Sequence, residues 1–338
     1  VISTLSQTEQ RTWLRRGQSW AGILLGLISV ILLVNMVDLR LVWETLRAMR
    51  FSYLALAFAI VVLNALEKGL RWQLLLYPRH RTLSYGHALG LLLAGQAINL
   101  AVPARVGDLA RAYLAGEHSG ERKAWLLGTI AGEKMLDVLL LVLLFFTLLP
   151  LMAFPQLLAE RAVPLAALGM IVIAGSAIVL MRRVWLLRAL NWAASRLPYA
   201  PATALLEQLD IALSGLDVFG YPRIALALWG LSLVNWGLGA ATNLVLFLAF
   251  GLPASLLAAW FLLLVLQTGV AIPAAPGKVG VFHLLCVFAL GVFGVDQATA
   301  LGYGIALHMI AIAPAVLGGM GYYWWTIWRV GKLRARQK

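Results

Sequence analysis

Charge is what this sequence has least of. Asp, Glu, Lys and Arg together make up 12% of its 338 residues, where a soluble domain carries about a quarter. Hydrophobic residues make up 62%, and the mean hydropathy of +0.87 is spread along the whole chain. An ordinary globular fold is excluded, and a polytopic membrane protein without a sizeable soluble domain remains. Cysteine is nearly missing too. The single Cys286 lies inside an apolar run, so neither a disulfide framework nor a cysteine metal site can be built within one chain. Catalytic signatures are also wanting. Gly277-Lys278-Val279 looks like the end of a P-loop, but Ile272 stands where the first glycine belongs and Val279 where Ser or Thr belongs, so the phosphate cradle is incomplete. No G-x-S-x-G, no H-E-x-x-H and no Asp-rich Mg²⁺ loop occurs. No cofactor, no metal and no enzymatic activity are expected. Acidic residues are the scarcer sign, 14 against 27 Lys and Arg, giving a net charge of +13. In a membrane protein that excess holds cytoplasmic loops to anionic headgroups, and nucleic acid is not needed to explain it.

What the chain has is long apolar runs. Six of them, at about 20–37, 53–75, 124–149, 164–181, 223–250 and 299–326, reach the roughly 20 residues that a bilayer core demands. The first is preceded by Arg11, Arg15 and Arg16 and is not followed by a small-residue cleavage motif, so it reads as a retained span and not as a signal peptide. Two further apolar regions, 84–114 and 255–294, are interrupted by Pro103-Ala104-Arg105-Val106-Gly107 and by Pro273-Ala274-Ala275-Pro276-Gly277-Lys278-Val279-Gly280. Each is either two crossings or one re-entrant hairpin. With the N-terminus inside and both regions re-entrant, Lys and Arg fall mainly on the cytoplasmic side, leaving only Arg40, Arg47, Arg50, Arg161 and Lys278 outside and Lys68, Arg71 and Lys134 at membrane depth. Both termini are then cytoplasmic.

That arrangement makes 53–149 and 223–326 an inverted repeat within a single membrane domain of residues 1–338, its two re-entrant regions entering from opposite faces. A shared pattern, P-[AG]-[RK]-V-G, with Gln96 and Gln267 upstream, supports the repeat. Secondary transporters commonly pair inverted repeats with Gly/Pro-interrupted helices whose broken ends meet near the midplane. Pro103, Gly107, Pro273, Pro276, Gly277 and Gly280 are the expected break residues. The segment 182–222 alternates apolar and charged positions, as either cytoplasmic interfacial helices or a packed helix hairpin. The aromatic cluster Tyr322, Tyr323, Trp324, Trp325 and Trp328 reads as an interfacial belt.

Ionisable residues inside a membrane are expensive and point to function. Glu67 and Arg71 are four apart on the second span, as are Glu133 and Asp137 on the third, with Lys134 adjacent. The first break between them carries Asn99, Arg105, Asp108 and Arg111. Counting Lys68 beside Glu67, five bases stand against four acids, one positive charge in excess, which suits a polar cavity for a monoanion. Arg71, Asn99, Arg105, Arg111 and Lys278 are the expected substrate-binding residues, since guanidinium forks clamp phosphate oxygens bidentately. Glu67, Asp108, Glu133, Lys134 and Asp137 would balance charge or couple transport to protons. The competing account makes Glu67–Arg71 and Lys134–Asp137 structural ion pairs at the inner ends of spans, with the bases snorkelling to water.

Arg71-Trp72, the stretch Asn99 to Arg111 as N-x-x-x-P-x-R-x-G-[DE]-x-x-R, Gly132-Glu133-Lys134 with Asp137, and Pro273 to Gly280 with Phe282 occur in that order. In these pieces the chain resembles the flippase-like membrane family that includes the transmembrane region of lysylphosphatidylglycerol synthase, the multiple peptide resistance factor. The resemblance implies movement of lipid-linked amphiphiles between leaflets of the bacterial cytoplasmic (inner) membrane. In that family the lysyl-transferring activity belongs to a separate C-terminal soluble domain, which is not expected within these residues. Lys134 stands where the family often has arginine, and Lys278 where it often has glycine, so the headgroup need not be the same. The expectation is an all-α polytopic lipid transporter with six full transmembrane helices and two opposed re-entrant hairpins, acting on an anionic phospholipid or a lipid-linked phosphate. Membrane lipids are its expected partners, with a homodimer and a separate synthase allowed. A scaffold for a lipid-modifying synthase and an intramembrane lipid-phosphate enzyme are the rival readings.

Overall fold

A computed structural model describes residues 24–79, 82–102, 106–151, 162–181, 201–269 and 276–336, together with positions 185, 188, 189 and 192. The described elements are helical, and among the described residues there is no strand. Where no water reaches the backbone, a helix that closes its own hydrogen bonds avoids a cost of several kcal/mol per unpaired group. The helices in chain order are α1 (Leu24–Met36), α2 (Leu39–Ala48), α3 (Phe51–Leu75), α4 (Tyr85–Ala101), α5 (Val106–Ser119), α6 (Lys123–Leu148), α7 (Ala162–Met181), α8 (Pro201–Ser214), α9 (Pro222–Ala249), α10 (Leu256–Gly269), α11 (Val281–Gly291) and α12 (Gln297–Arg336).

Among the described residues, three helical stretches are long and apolar enough to cross a bilayer: Phe51–Leu75, Pro222–Ala249 and Gln297–Thr326. The chain is thus a multi-pass helical membrane protein. Helix α6 matches them in length with 26 residues but carries Glu133, Lys134 and Asp137 along one stretch. The first apolar run does not simply end. At Val37-Asp38 the axis turns by 87° between α1 and α2, and the Asp38 side chain accepts a hydrogen bond from the Arg40 N–H (2.8 Å) to cap the new helix. Both broken regions are interrupted at the expected place. Helix α4 ends at Ala101 and α5 begins at Val106, while α10 ends at Gly269 and α11 begins at Val281. Pro103, Arg105 and Pro273 lie outside the described residues.

The chain divides into two compact units, one of Val1–Val62, Ala94–Gly107 and Gly239–Lys338, the other of Leu63–Leu93 and Asp108–Leu238. In the first, α11 packs against α10 and α12, and α12 against α2. Small residues set these distances: a Cβ on Gly304 would lie 3.0 Å from Cys286 Cβ, and one on Gly269 would lie 2.3 Å from Leu285 Cδ1. Close approach of this kind drives helix association where lipid offers no hydrophobic gain. Asn243 on α9 ties the core together, donating from Nδ2 to the Ala259 carbonyl (3.0 Å) and accepting from the buried Tyr303 hydroxyl at Oδ1 (3.1 Å). Past Thr326, the exposed Trp328 continues the outward-facing Tyr323, Trp324 and Trp325.

In the second unit α6 is central, packing against α7 and α8. A Cβ on Gly128 would stand 1.7 Å from the Ala212 carbonyl oxygen of α8, and one on Gly215 would stand 2.6 Å from the Trp125 carbonyl oxygen. Two glycines therefore let the backbones of α6 and the end of α8 touch. At the other end of α8, Leu205 and Leu209 are exposed, as are Trp185 and Trp192. The remaining positions between 182 and 200 fall outside the described residues.

Gly128→Ala is expected to lower the stability of the detergent-solubilised protein by about 1–3 kcal/mol through overpacking. Gly230 on α9 has no atom within 4 Å of the place a methyl group would take, so Gly230→Ala is expected to hold or raise Tm through helix propensity. Thermal unfolding of the two variants checks the contrast, and equal losses would contradict the close α6–α8 contact.

Candidate functional site

The second unit buries a group of charges that the helix periods bring together. On α3, Asn64, Glu67, Lys68 and Arg71 recur at three- and four-residue spacing and so share a face. Glu133 and Asp137 share a face of α6 for the same reason, and α5 brings Arg111. Arg71 is only 1% exposed, Arg111 3%, Glu133 4% and Glu67 7%. Removing such ions from water costs several kcal/mol each unless they are paired and hydrogen-bonded.

The pairing runs between helices. Arg71 NH1 donates to Asp137 Oδ1 at 2.7 Å and to the Ser232 hydroxyl of α9 at 3.1 Å. Arg71 NH2 lies 4.0 Å from Glu133 Oε1. Glu133 is the hub: Oε2 accepts from Arg111 NH2 at 2.8 Å and Oε1 from Lys134 Nζ at 2.9 Å. The Arg111 guanidinium also rests 3.7 Å from the centre of the Trp72 ring, a cation–π contact. Trp72 is itself fixed by its Nε1–H, which donates to Thr129 Oγ1 at 3.3 Å. Five charged side chains, Arg71, Arg111, Lys134, Glu133 and Asp137, thus form one network with one positive charge in excess.

The helix-face pairing of Glu67 with Arg71 that the spacing suggested is not formed. Arg71 is taken by α6 and α9, and neither carboxylate oxygen of Glu67 has a hydrogen-bond partner. Nor does Lys134 pair with Asp137, since its ammonium goes to Glu133. Two guanidinium nitrogens, Arg71 Nε and Arg111 Nε, are likewise buried without a partner. The network therefore holds more N–H donors than the carboxylates and Ser232 consume, which is the condition for admitting a further anion. Asp108 lies near enough to Lys134 to interact with it electrostatically.

The first break belongs to the other unit up to Gly107. There the Asn99 side-chain oxygen accepts from the Gly107 N–H at 2.7 Å, bridging the two sides of the interruption. A Cβ on Gly107 would lie 1.9 Å from the Gly95 carbonyl oxygen, so only glycine lets α5 start so close to α4. Asn99, expected among the substrate ligands, holds the broken helix together here. In the second break Gly277 and Lys278 both adopt left-handed backbone, with φ of 66° and 57°. Gly280, at φ 86°, begins α11, and its N–H donates to His283 Nδ1 (3.4 Å). Its backbone passes close to α1, since a Cβ there would stand 2.5 Å from the Gly26 carbonyl oxygen. His308 stacks on Phe282, with ring centres 4.7 Å apart. Among the described residues no group of three or more His, Cys, Asp or Glu side chains is placed to share a metal ion.

Sequence reasoning did not single out Ser232, Asn235 or the stacking role of Trp72. The signal for the first two was present: polar residues three apart inside the apolar α9 share one face, and Asn235 accepts from Asn64 at Oδ1 (3.0 Å) and at its carbonyl oxygen (2.9 Å).

Helices of spanning length around a buried ion network define a class, the polytopic membrane proteins that keep charge inside the helix bundle. Within it, residues 19–319 match the family model described as the lysylphosphatidylglycerol synthase TM region, and the chain belongs to that family. Membership ties the chain to membrane-lipid biochemistry. The chain is also 26% identical over 340 residues to the glycosyltransferase AglD of Haloferax volcanii, an alignment covering 91% of this chain and 54% of that protein. It therefore spans about half the length of the curated relative it matches. No solved structure matches the chain.

Removing one member of a buried pair strands the other, at about 3–5 kcal/mol. Glu133→Gln is expected to destabilise the protein by that order, and Arg111→Met combined with it is expected to cost less than the sum of the two single variants. Denaturation of the four proteins of the double-mutant cycle checks this coupling; additive losses would show that Arg111 and Glu133 do not depend on each other.

Proposed function

We propose that this protein is a lipid transporter that moves an anionic phospholipid or a lipid-linked phosphate between membrane leaflets, and is not itself an enzyme. The observation that carries the reading is the donor surplus at Arg71 and Arg111, two buried guanidiniums held by carboxylates inside apolar helices. A lipid phosphate entering the network would accept from the spare donors Arg71 Nε and Arg111 Nε while Glu133 and Asp137 keep their own partners, so that no carboxylate is left bare in the bilayer. Trp72 would hold the Arg111 plane in place. Arg105 and Lys278 are proposed to bind phosphate as well, on the strength of their sequence positions beside Pro103 and Gly277, while acyl chains stay in lipid.

Six full spans with two opposed re-entrant hairpins forming an inverted repeat is the topology proposed with this function. The paired interruptions between α4 and α5 and between α10 and α11 support it. A bacterial inner-membrane location is proposed from the family resemblance, and cytoplasmic termini from the Lys and Arg distribution. A second reading, a scaffold for a lipid-modifying synthase, is favoured by the relative named a glycosyltransferase that is about twice as long as the matched region.

In proteoliposomes, leaflet exchange of fluorescent anionic lipids read by an impermeant quencher distinguishes the two. The parent is expected to exchange them, and Arg111→Met to slow exchange at least about tenfold while elution volume and Tm remain those of a folded protein. A parent that exchanges none of them, together with full activity of a partner synthase in the presence of Arg111→Met, would favour the scaffold.

A further inference from the structure

Between α3 and α9 the second unit contains acceptors and donors that do not meet. The seam is closed at one point by Asn64, whose Nδ2 donates to Asn235 (2.9 and 3.0 Å), and at another by Arg71 NH1 on Ser232 Oγ (3.1 Å). Glu67 lies between these two bonds on the same face of α3, three residues after Asn64 and four before Arg71. Both of its oxygens are buried and neither has a partner. On α9, Trp236 follows Asn235, and its indole Nε1–H is also buried without a partner. Protonation does not resolve the carboxyl, because the neutral group still presents an O–H and a carbonyl with nothing to bind. A buried acceptor pair in that state calls for a donor, and the polar group of a ligand entering the seam would supply one.

We propose that Glu67 is a specificity-determining residue that binds a hydrogen-bond donor on the lipid headgroup while Arg71 and Arg111 bind its phosphate; this rests on the transport reading above. Residues one helical turn apart are about 5–6 Å apart at Cβ. The donor recognised by Glu67 must therefore sit a few bonds from the phosphate that Arg71 holds. A hydroxyl on a short polyol and an ammonium on a short alkyl arm both meet that distance. A headgroup that ends in methyl groups does not meet the chemistry, and it would bury Glu67 against an apolar surface. Sites built to hydrogen-bond a polar group reject analogues lacking it far more strongly than apolar pockets reject extra bulk.

Four lipids labelled on the acyl chain test this in proteoliposomes: phosphatidylglycerol, phosphatidylethanolamine, phosphatidylcholine and phosphatidylmethanol, the last an anionic lipid without a headgroup donor. The parent is expected to move the glycerol lipid, the ethanolamine lipid or both at least about tenfold faster than phosphatidylmethanol and phosphatidylcholine. Preference for the glycerol lipid assigns a hydroxyl donor, and preference for the ethanolamine lipid an ammonium. Glu67→Leu, which removes the acceptors without leaving a polar group, is expected to bring all rates to that of phosphatidylmethanol. Glu67→Gln, which keeps one acceptor and loses the charge, is expected to retain a hydroxyl preference and lose an ammonium preference. A parent that moves phosphatidylmethanol as fast as the donor-bearing lipids, or a Glu67→Leu variant that keeps the parent's preference, overturns the assignment. Movement of none of the four by the parent instead overturns the reading as a phospholipid transporter, and with it this one.

Discussion

The carboxylate of Glu133 is the constraint around which the second unit is organised. It lies on a helix of 26 residues that is apolar over most of its length, and it is 4% exposed. A charge so placed is tolerable only if bases from other elements are brought to it. Arg111 comes from α5, Arg71 from α3 and Lys134 from the next position on α6. Each of those bases then requires its own support. Asp137 and Ser232 accept from Arg71, and the Trp72 ring covers Arg111. The relation of α3, α5, α6 and α9 within the unit therefore follows from neutralising one carboxylate. Ion pairs of this sort add little net stability compared with apolar packing, but they are severe about geometry, because a misplaced partner leaves a bare charge.

That severity is what makes the network useful. A rigid apolar seam cannot admit a phosphate, and a solvated basic patch would hold one too loosely to carry it through lipid. Guanidiniums with spare N–H donors, already desolvated and already aligned by carboxylates, take on a further anion at modest cost. On the reading proposed above, the surplus of donors over acceptors at Arg71 and Arg111 and the unsatisfied oxygens of Glu67 are two sides of one arrangement, one set for a phosphate and the other for a headgroup donor.

Much of the frame was legible in the sequence because it depends on local rules. Spans at 53–75, 223–250 and 299–326 coincide with α3, α9 and the first part of α12 to within a few residues, since hydropathy over 20 residues is a strong signal. The two interruptions were marked by proline and glycine, and in the first the Asn99–Gly107 clip joins residues eight apart across the break. The membership of the candidate cluster was also readable, because Glu67, Arg71, Arg111, Glu133, Lys134 and Asp137 are conspicuous where lipid should be. Who pairs with whom was not. Spacing along one helix suggested Glu67 with Arg71, but cross-helix partners on α6 and α9 compete for the same guanidinium, and that competition is settled by tertiary packing. The right-angle turn at Asp38 was hidden for a similar reason: an apolar run gives no sign of its direction. Ser232 and Asn235 escaped notice because small polar residues barely lower the hydropathy of an apolar helix.

The central claim is that the buried guanidiniums receive a lipid phosphate, and direct retention of lipid tests it most closely. Native mass spectrometry of the detergent-purified protein, equilibrated with equal amounts of phosphatidylglycerol and phosphatidylcholine, reads bound lipid without requiring transport. The account predicts that the parent retains the anionic lipid in preference, and that an Arg71→Met/Arg111→Met variant with the parent's fold loses this preference. Equal retention of the anionic lipid by the folded double variant would contradict it.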